Sequence, residues 1–177
     1  YRGGFGIAFD ELGSRFACDN QNHAAHVVFE RGDISRNPDL RIDDTMNEIT
    51  DHGAKVFPIS KTLERYNDPQ DYGRFSSACG VHVYGGDALP PEYRGSHFVC
   101  EPVSNLVHRD VLVPSGASYS ARRGEETSEF LASTDHWFRP VSCTTGPDGA
   151  LYIADMYREV IEHPQWIPEH IQKLFDL

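Results

Sequence analysis

The chain has 177 residues, enough for one domain with a real core, and carries 27 acids against 16 Lys and Arg for a net charge of −11. That balance argues against nucleic acid or anionic membrane as a partner, because phosphate binding needs a concentrated basic surface. No run of about 18 apolar residues occurs, so no segment is expected to span a bilayer. The sequence opens on Tyr1 inside what reads as a strand motif and closes on Phe175-Asp176-Leu177, so a piece of a longer polypeptide is expected.

In chain order, Gly6-Ile7-Ala8-Phe9, a turn through Gly13 and Arg15-Phe16-Ala17-Cys18-Asp19 read as strand, turn, strand and closing acid. The polar loop Asp19-Asn20-Gln21-Asn22-His23 follows. It is either an Asx-rich turn satisfied by its own side chains or a ligand-bearing loop, and His23 is open to both readings. His26-Val27-Val28-Phe29 reads as a strand. Residues 31 to 54 are polar and weakly periodic; Asp43-Asp44 offers a helix N-cap for the short run Thr45 to Thr50. Lys55-Val56-Phe57-Pro58-Ile59 reads as a brief edge strand, because Pro58 lacks a donor. The aperiodic stretch 60 to 78 is expected to lie over one face of the scaffold and shape a pocket.

Gly80-Val81-His82-Val83-Tyr84, a loop from Gly85 to Gly95, and His97-Phe98-Val99-Cys100-Glu101 repeat the first phrase with a longer turn. Leu106 to Leu112 is a strand whose alternation sends His108 and Asp110 to one face and Arg109 to the other. A turn at Pro114-Ser115-Gly116 precedes short strands at Ser118 to Arg122 and Glu129 to Ala132. Arg139 to Asp155 is the clearest copy. Gly146-Pro147-Asp148-Gly149 makes the turn, with Leu151 and Ile153 on one face of the returning strand and Tyr152 and Ala154 on the other. Pro168 suits the first position of a terminal helix on which Ile171, Leu174 and Phe175 share a face. A strand, Gly turn, strand and acid recurring at intervals of tens of residues suggests radial β repetition.

None of the four cysteines, Cys18, Cys79, Cys100 and Cys143, stands in a Cys-x-x-Cys pair, and no heme-attachment motif occurs. Cys18 and Cys100 hold equivalent places in two copies, which points to buried packing; a disulfide stays open, with no pairing readable. No nucleotide fingerprint and no Gly-x-Ser-x-Gly elbow is present. A metal site drawn from His23, His108, Asp155 or His163 is conceivable, but no spacing demands one and none is assigned. Arg2, Arg109 and Arg139 stand near strands of the repeats. Arg139, after Trp137-Phe138, suits either a bidentate carboxylate clamp or an ion pair with a closing acid.

The run from Ser77 to Val99, with Tyr84-Gly85-Gly86-Asp87, Pro90-Pro91 and Tyr93-Arg94-Gly95, resembles a phrase of glucose/sorbosone dehydrogenase-like propellers. Arg139 to Tyr152 resembles the following blade. Asn105-Leu106-Val107-His108-Arg109, Trp137-Phe138-Arg139-Pro140 and Asp155-Met156-Tyr157-Arg158 with Ile161-Glu162-His163-Pro164 resemble the membrane-bound dehydrogenase domain of planctomycete-type heme-binding proteins. The resemblance covers nearly the whole chain. It implies an all-β fold: a partial, C-terminal half of a six-bladed β-propeller, with long inter-strand loops and a short terminal helix. It also implies oxidation of a sugar or polyol hydroxyl, with pyrroloquinoline quinone and calcium as cofactors and electrons passing to a c-type heme domain elsewhere. The catalytic base is expected outside this chain, and export to the periplasm or cell surface is expected. On this resemblance Arg139, Arg2, His108, Arg109 and His23 are the expected cofactor contacts, although Gly3-Gly4 follows Arg2 where relatives carry Asn-Pro. The alternative is a non-catalytic propeller that binds carbohydrate or protein.

Overall fold

The computed structural model describes residues 6–42, 44–61, 73–161, 165 and 167–176. Its strands are β1 (Ile7–Phe9), β2 (Arg15–Ala17), β3 (Ala25–Val27), β4 (Met46–Glu48), β5 (Cys79–Val83), β6 (His97–Glu101), β7 (Leu106–Ser115), β8 (Ser118–Arg123), β9 (Leu131–Ala132), β10 (Pro140–Thr145) and β11 (Leu151–Asp155). Two short α-helices, α1 (Arg31–Ser35) and α2 (Glu169–Phe175), and a 3-10 turn at Pro91–Tyr93 complete the described elements, so the protein is all-β in character. The strands form an antiparallel meander β1-β2-β3-β4, a second meander β5-β6-β7-β8 with β9 beside β7, and a β10-β11 hairpin. No described helix is long and apolar enough to cross a membrane.

The hairpins of the three repeated phrases form where the sequence places them. Gly149, at φ +77°, closes the last one in a conformation that an L side chain resists. Leu151 and Ile153 turn inward while Tyr152 is half exposed, as period-two alternation requires. The closing acids have a shared purpose. Asp19 accepts the amides of Gln21 and Asn22, and Asp155 accepts those of Arg139 and Tyr157, so each carboxylate occupies the backbone donors that a strand end exposes.

Several elements differ from the sequence expectation. Met46–Glu48 is a strand paired with β3, not the start of a helix, because the ladder offers its backbone partners that a short polar helix lacks. Lys55 to Ile59 forms only a bridge between Lys55 and Arg74, in place of a strand. Pro114 lies inside β7 opposite Tyr119, and the reversal falls later, at Gly116-Ala117. Pro168 is the N-cap of α2 rather than its first helical residue. The side chains of Leu174 and Phe175, most of stretch 60–78 (residues 62–72), Arg2 and His163 lie outside the described residues.

Two apolar clusters join the sheets. Phe16, Phe75, Val81, Val83, Val99 and Leu106 fill the first, which fastens the first meander to the second. Tyr84, Phe98, Cys100, Val107 and Cys143 form the second, which seats the hairpin on β5 and β6. Close approach there depends on Gly80, at φ +61°, where an added Cβ would stand 2.4 Å from the Val141 carbonyl oxygen.

Glu101 closes β6 from a fully buried position. It accepts hydrogen bonds from the Ser76 amide (3.1 Å), the Ser77 amide (2.9 Å) and the Ser77 hydroxyl (2.5 Å). Burial pushes its carboxyl up to about 7, with the Ser77 and Ser76 donors opposing that rise. Between its unfolded value near 4.5 and about 7 the folded protein therefore holds a proton that the unfolded chain has lost, and this group's stabilisation falls as pH rises through that window. Urea unfolding at pH 5 and pH 7 should show that Glu101→Gln loses less stability over the interval than the unsubstituted protein; equal losses would refute the assignment.

Candidate metal centre

The interface between the two meanders encloses an unusual concentration of imidazoles. Period-two alternation along β7 puts His108 and Asp110 on the face turned toward the first sheet. His23 arrives from the connection between β2 and β3. There the Asp19 turn, together with the Ala24 amide donating to Asn22 Oδ1, directs the ring inward, where it stacks on Phe75 at 4.3 Å between centroids. His52 follows β4. The segment before it docks on β8 through the Ala121 amide to the Ile49 carbonyl and the Asp51 amide to the Ala121 carbonyl, and this holds the ring beside Asp110.

Asp110 is the focus. Its Oδ1 lies 2.8 Å from His52 Nε2 and 3.0 Å from His108 Nε2, and its Oδ2 lies 3.1 Å from His23 Nε2. The last approach lacks hydrogen-bond alignment, so both nitrogens of His23 and Asp110 Oδ2 are buried without a hydrogen-bond partner among the described residues. The His97 ring stands further off, with Nδ1 3.8 Å from Oδ2, and its nitrogens are likewise unpartnered among the described residues. A buried orphan of this kind costs about 1–3 kcal/mol, so four such nitrogens need an explanation.

Behind His108 stands a carboxylate. Glu129 Oε2 is 2.6 Å from His108 Nδ1, while Glu129 Oε1 accepts from Arg123 Nη1 at 3.0 Å and from the Phe57 amide at 2.8 Å. Burial alone would lower the His108 pKa, but Asp110 and Glu129 outweigh it and push the imidazole up to about 9. In turn, burial would raise the Asp110 carboxyl, yet the charge and hydrogen bond of His108 hold it well below the usual carboxylate range. Burial keeps His23 below its ordinary value and brings His97 down to about 4. Without a metal, the centre is thus the His108 imidazolium held between two carboxylates, with the rings of His23 and His97 kept neutral by burial.

Ligand atoms from His23, His52, His108 and Asp110 all lie within 4.8 Å of one another. A tetrahedral ion bonded at about 2.0–2.1 Å separates its ligands by about 3.3 Å, so to admit one the 2.8–3.1 Å contacts to Asp110 would open and the wider separations, up to 4.8 Å, would close. Glu129 completes the familiar arrangement in which a carboxylate fixes the outer nitrogen of a metal-bound imidazole. His52 has to change most. Arg123 Nη2 faces its Nδ1 at 3.4 Å, which favours the proton on Nε2, and that proton must leave before Nε2 can ligate. Three nitrogens and one carboxylate suit zinc, cobalt or iron; calcium takes oxygen ligands and does not fit this centre.

Of the residues expected to contact a cofactor, His23 and His108 come together here, and the arginines do not. Arg109 points from the opposite face of β7, bonds Glu125 at 2.9 Å and lies 4.4 Å over the Tyr93 ring. Arg139 is buried and donates to the carbonyls of Pro102, Arg158 and Glu159 at 2.9, 3.2 and 2.5 Å. Both guanidiniums are therefore engaged by protein groups, and these two arginines as placed do not fit a shared quinone clamp. Arg2 lies outside the described residues, as does His163, and Asp155 is spent on backbone amides. Sequence reasoning had His108 and Asp110 on one face but did not join Asp110 to the site. His52 carries no periodic signal, and Glu129, which the sequence places at the start of a short strand, lies just before β9 (Leu131–Ala132).

These features define an all-β antiparallel protein with a buried His/Asp centre between two of its sheets. Residues 1–177 match the model of a domain of unknown function, DUF7133, and the chain belongs to that family. No curated protein matches it.

Removing the focal carboxylate should leave His108 without its main counter-charge. Asp110→Ala is expected to cost the metal-free protein about 3–5 kcal/mol in urea unfolding at neutral pH. Asp33→Ala, at the exposed pair with Arg36, should cost no more than about 1 kcal/mol. Similar losses for the two variants would show that the buried cluster contributes nothing special.

Proposed function

We propose that this chain binds a divalent transition metal through His23, His52, His108 and Asp110, and that the ion fastens the first meander to the second. The observation that carries this is the convergence of three imidazoles and a carboxylate from separate elements within 4.8 Å, with His23 buried and lacking a hydrogen-bond partner on either ring nitrogen among the described residues. A ligand set so enclosed matches the closed coordination of structural sites more than the open position of catalytic ones. The ion would replace the excess positive charge that a protonated His108 now supplies between Asp110 and Glu129.

The test is titration of chelator-treated protein with cobalt(II), followed by visible absorption. One equivalent with tetrahedral-type bands, and a raised unfolding temperature, is the expected result. His23→Ala should weaken binding at least 10-fold. Absence of any stoichiometric binding, or unchanged binding in His23→Ala, would refute the proposal.

A second reading concerns the protein that carries this domain. Two successive four-stranded meanders followed by a hairpin, with β1 packed on β5 and β5 on β10, are what two blades and the start of a third of a β-propeller would present. On that reading and the family phrases, the domain serves a dehydrogenase acting on a sugar or polyol hydroxyl at the periplasm or cell surface. Quinone, calcium and a heme-domain partner would be supplied outside the His/Asp centre. A propeller that only binds carbohydrate or protein is the competing use. Dye reduction by the natural protein, supplied with quinone and calcium and offered a panel of sugars and polyols, is expected to depend on the hydroxyl substrate. No reduction with any of them would favour the binding role.

A further inference from the structure

The second apolar cluster holds a chemical feature independent of the metal centre. All four cysteines are buried, and two of them meet across the gap between sheets. Cys100 lies on β6 and Cys143 on β10, and their sulfurs are 3.5 Å apart. These strands belong to different sheets, with no backbone ladder between them. Gly80 permits the close approach, since its missing side chain lets β5 rest against the backbone of Val141 and Ser142.

We propose that Cys100 and Cys143 form a disulfide that fastens the β10-β11 hairpin to the second meander. A disulfide needs its sulfurs at about 2.05 Å, so they must close by about 1.5 Å, within reach of small side-chain rotations. Cys79 is the cross-strand partner of Cys100 in the β5-β6 register and is the natural competitor. The thiol that meets Cys100, however, is that of Cys143. The link would act where the hairpin otherwise depends on packing, on the Ala88 amide donating to the Gly149 carbonyl at 3.3 Å, and on side-chain bonds such as His82 Nε2 to Thr145 Oγ1 at 2.8 Å and the Tyr84 hydroxyl to the Gly149 carbonyl at 2.5 Å.

The chemistry is thiol–disulfide exchange with a small disulfide such as oxidised glutathione. One protein thiolate attacks the glutathione disulfide, forms a mixed disulfide and releases one glutathione thiolate. The second protein thiolate then attacks the protein sulfur of that mixed disulfide and releases the other. Two protein thiols lose two protons and two electrons in total, and one oxidised glutathione becomes two reduced ones. The Cys143 thiol and burial together push the Cys100 thiol up, so Cys100 carries little thiolate in the folded state. Both thiols are buried in the folded protein and closed to glutathione, so the bond forms while the chain is folding, before the cluster closes.

The experiment refolds the full chain from urea in a glutathione redox buffer and, in parallel, in dithiothreitol. Non-reducing mass spectrometry should show the first product two hydrogens lighter, and its proteolytic map should join the Cys100 peptide to the Cys143 peptide. Cys18→Ser and Cys79→Ser should keep the link, and Cys143→Ala should lose it. For a loop of 43 residues, the oxidised protein should unfold about 10 °C above the reduced one, a gap absent in Cys143→Ala. Four alkylatable thiols after oxidative refolding, or a Cys79–Cys100 link, would overturn the proposal. The peptide map of the unsubstituted protein decides this even if a variant fails to fold.

Discussion

The Asp110 carboxylate is the constraint on which the join between the two meanders depends. A fully buried charge is tolerated only where opposite charge and donors surround it. Here the first meander and its flanking segments supply His23 and His52, the second supplies His108, and Glu129 with Arg123 completes the balance behind them. The acid thus needs groups from both sides of the interface. An apolar interface can slide or repack at modest cost, whereas a charge with directional partners has essentially one low-energy arrangement.

Around that centre the packing follows from short strands that cannot stand alone. The first meander consists of strands of three residues each, too short for a stable sheet by themselves, and its inward side chain Phe16 is wholly buried against the neighbouring cluster. The second meander has the longest strand, ten residues in β7, and carries both the centre on one face and Arg109 on the other. It acts as the base on which the first meander and the β10-β11 hairpin are seated. The hairpin side is closed by apolar packing, a glycine that admits close backbone approach, and two thiols in contact.

Buried acids serve two different ends in this protein. Glu101 is satisfied by local donors from Ser76 and Ser77, and burial keeps its proton near neutral pH. Asp110 meets cationic and imidazole partners and stays ionised. The difference lies in the neighbours, since both side chains are wholly buried.

Much of the strand framework was legible in the sequence, because alternation and turn chemistry are local. Gly146-Pro147-Asp148-Gly149 specifies its reversal, and the 108–110 alternation separates His108 and Asp110 from Arg109 without outside help. Where local preference was weak, pairing decided: Met46–Glu48 became a strand because β3 lay beside it, and β7 ran on through Pro114 because β8 paired with it. The centre was legible only in part. His23 stood out in the polar loop after a strand end and His108 within the alternating strand of a family phrase, but His52 sits in an aperiodic segment and Glu129 outside any regular strand, so no spacing links either to Asp110. Arg109 and Arg139 looked like ligands for the same reason that the structure gives them other partners: an arginine near a strand can meet a cofactor, a carboxylate or a carbonyl equally well. By itself, then, the sequence determined which residues alternate and where the chain turns, since these depend on neighbours in the chain. Only the tertiary structure decided which imidazoles face one carboxylate and which two thiols touch, because both contacts join residues that sheet packing alone brings together.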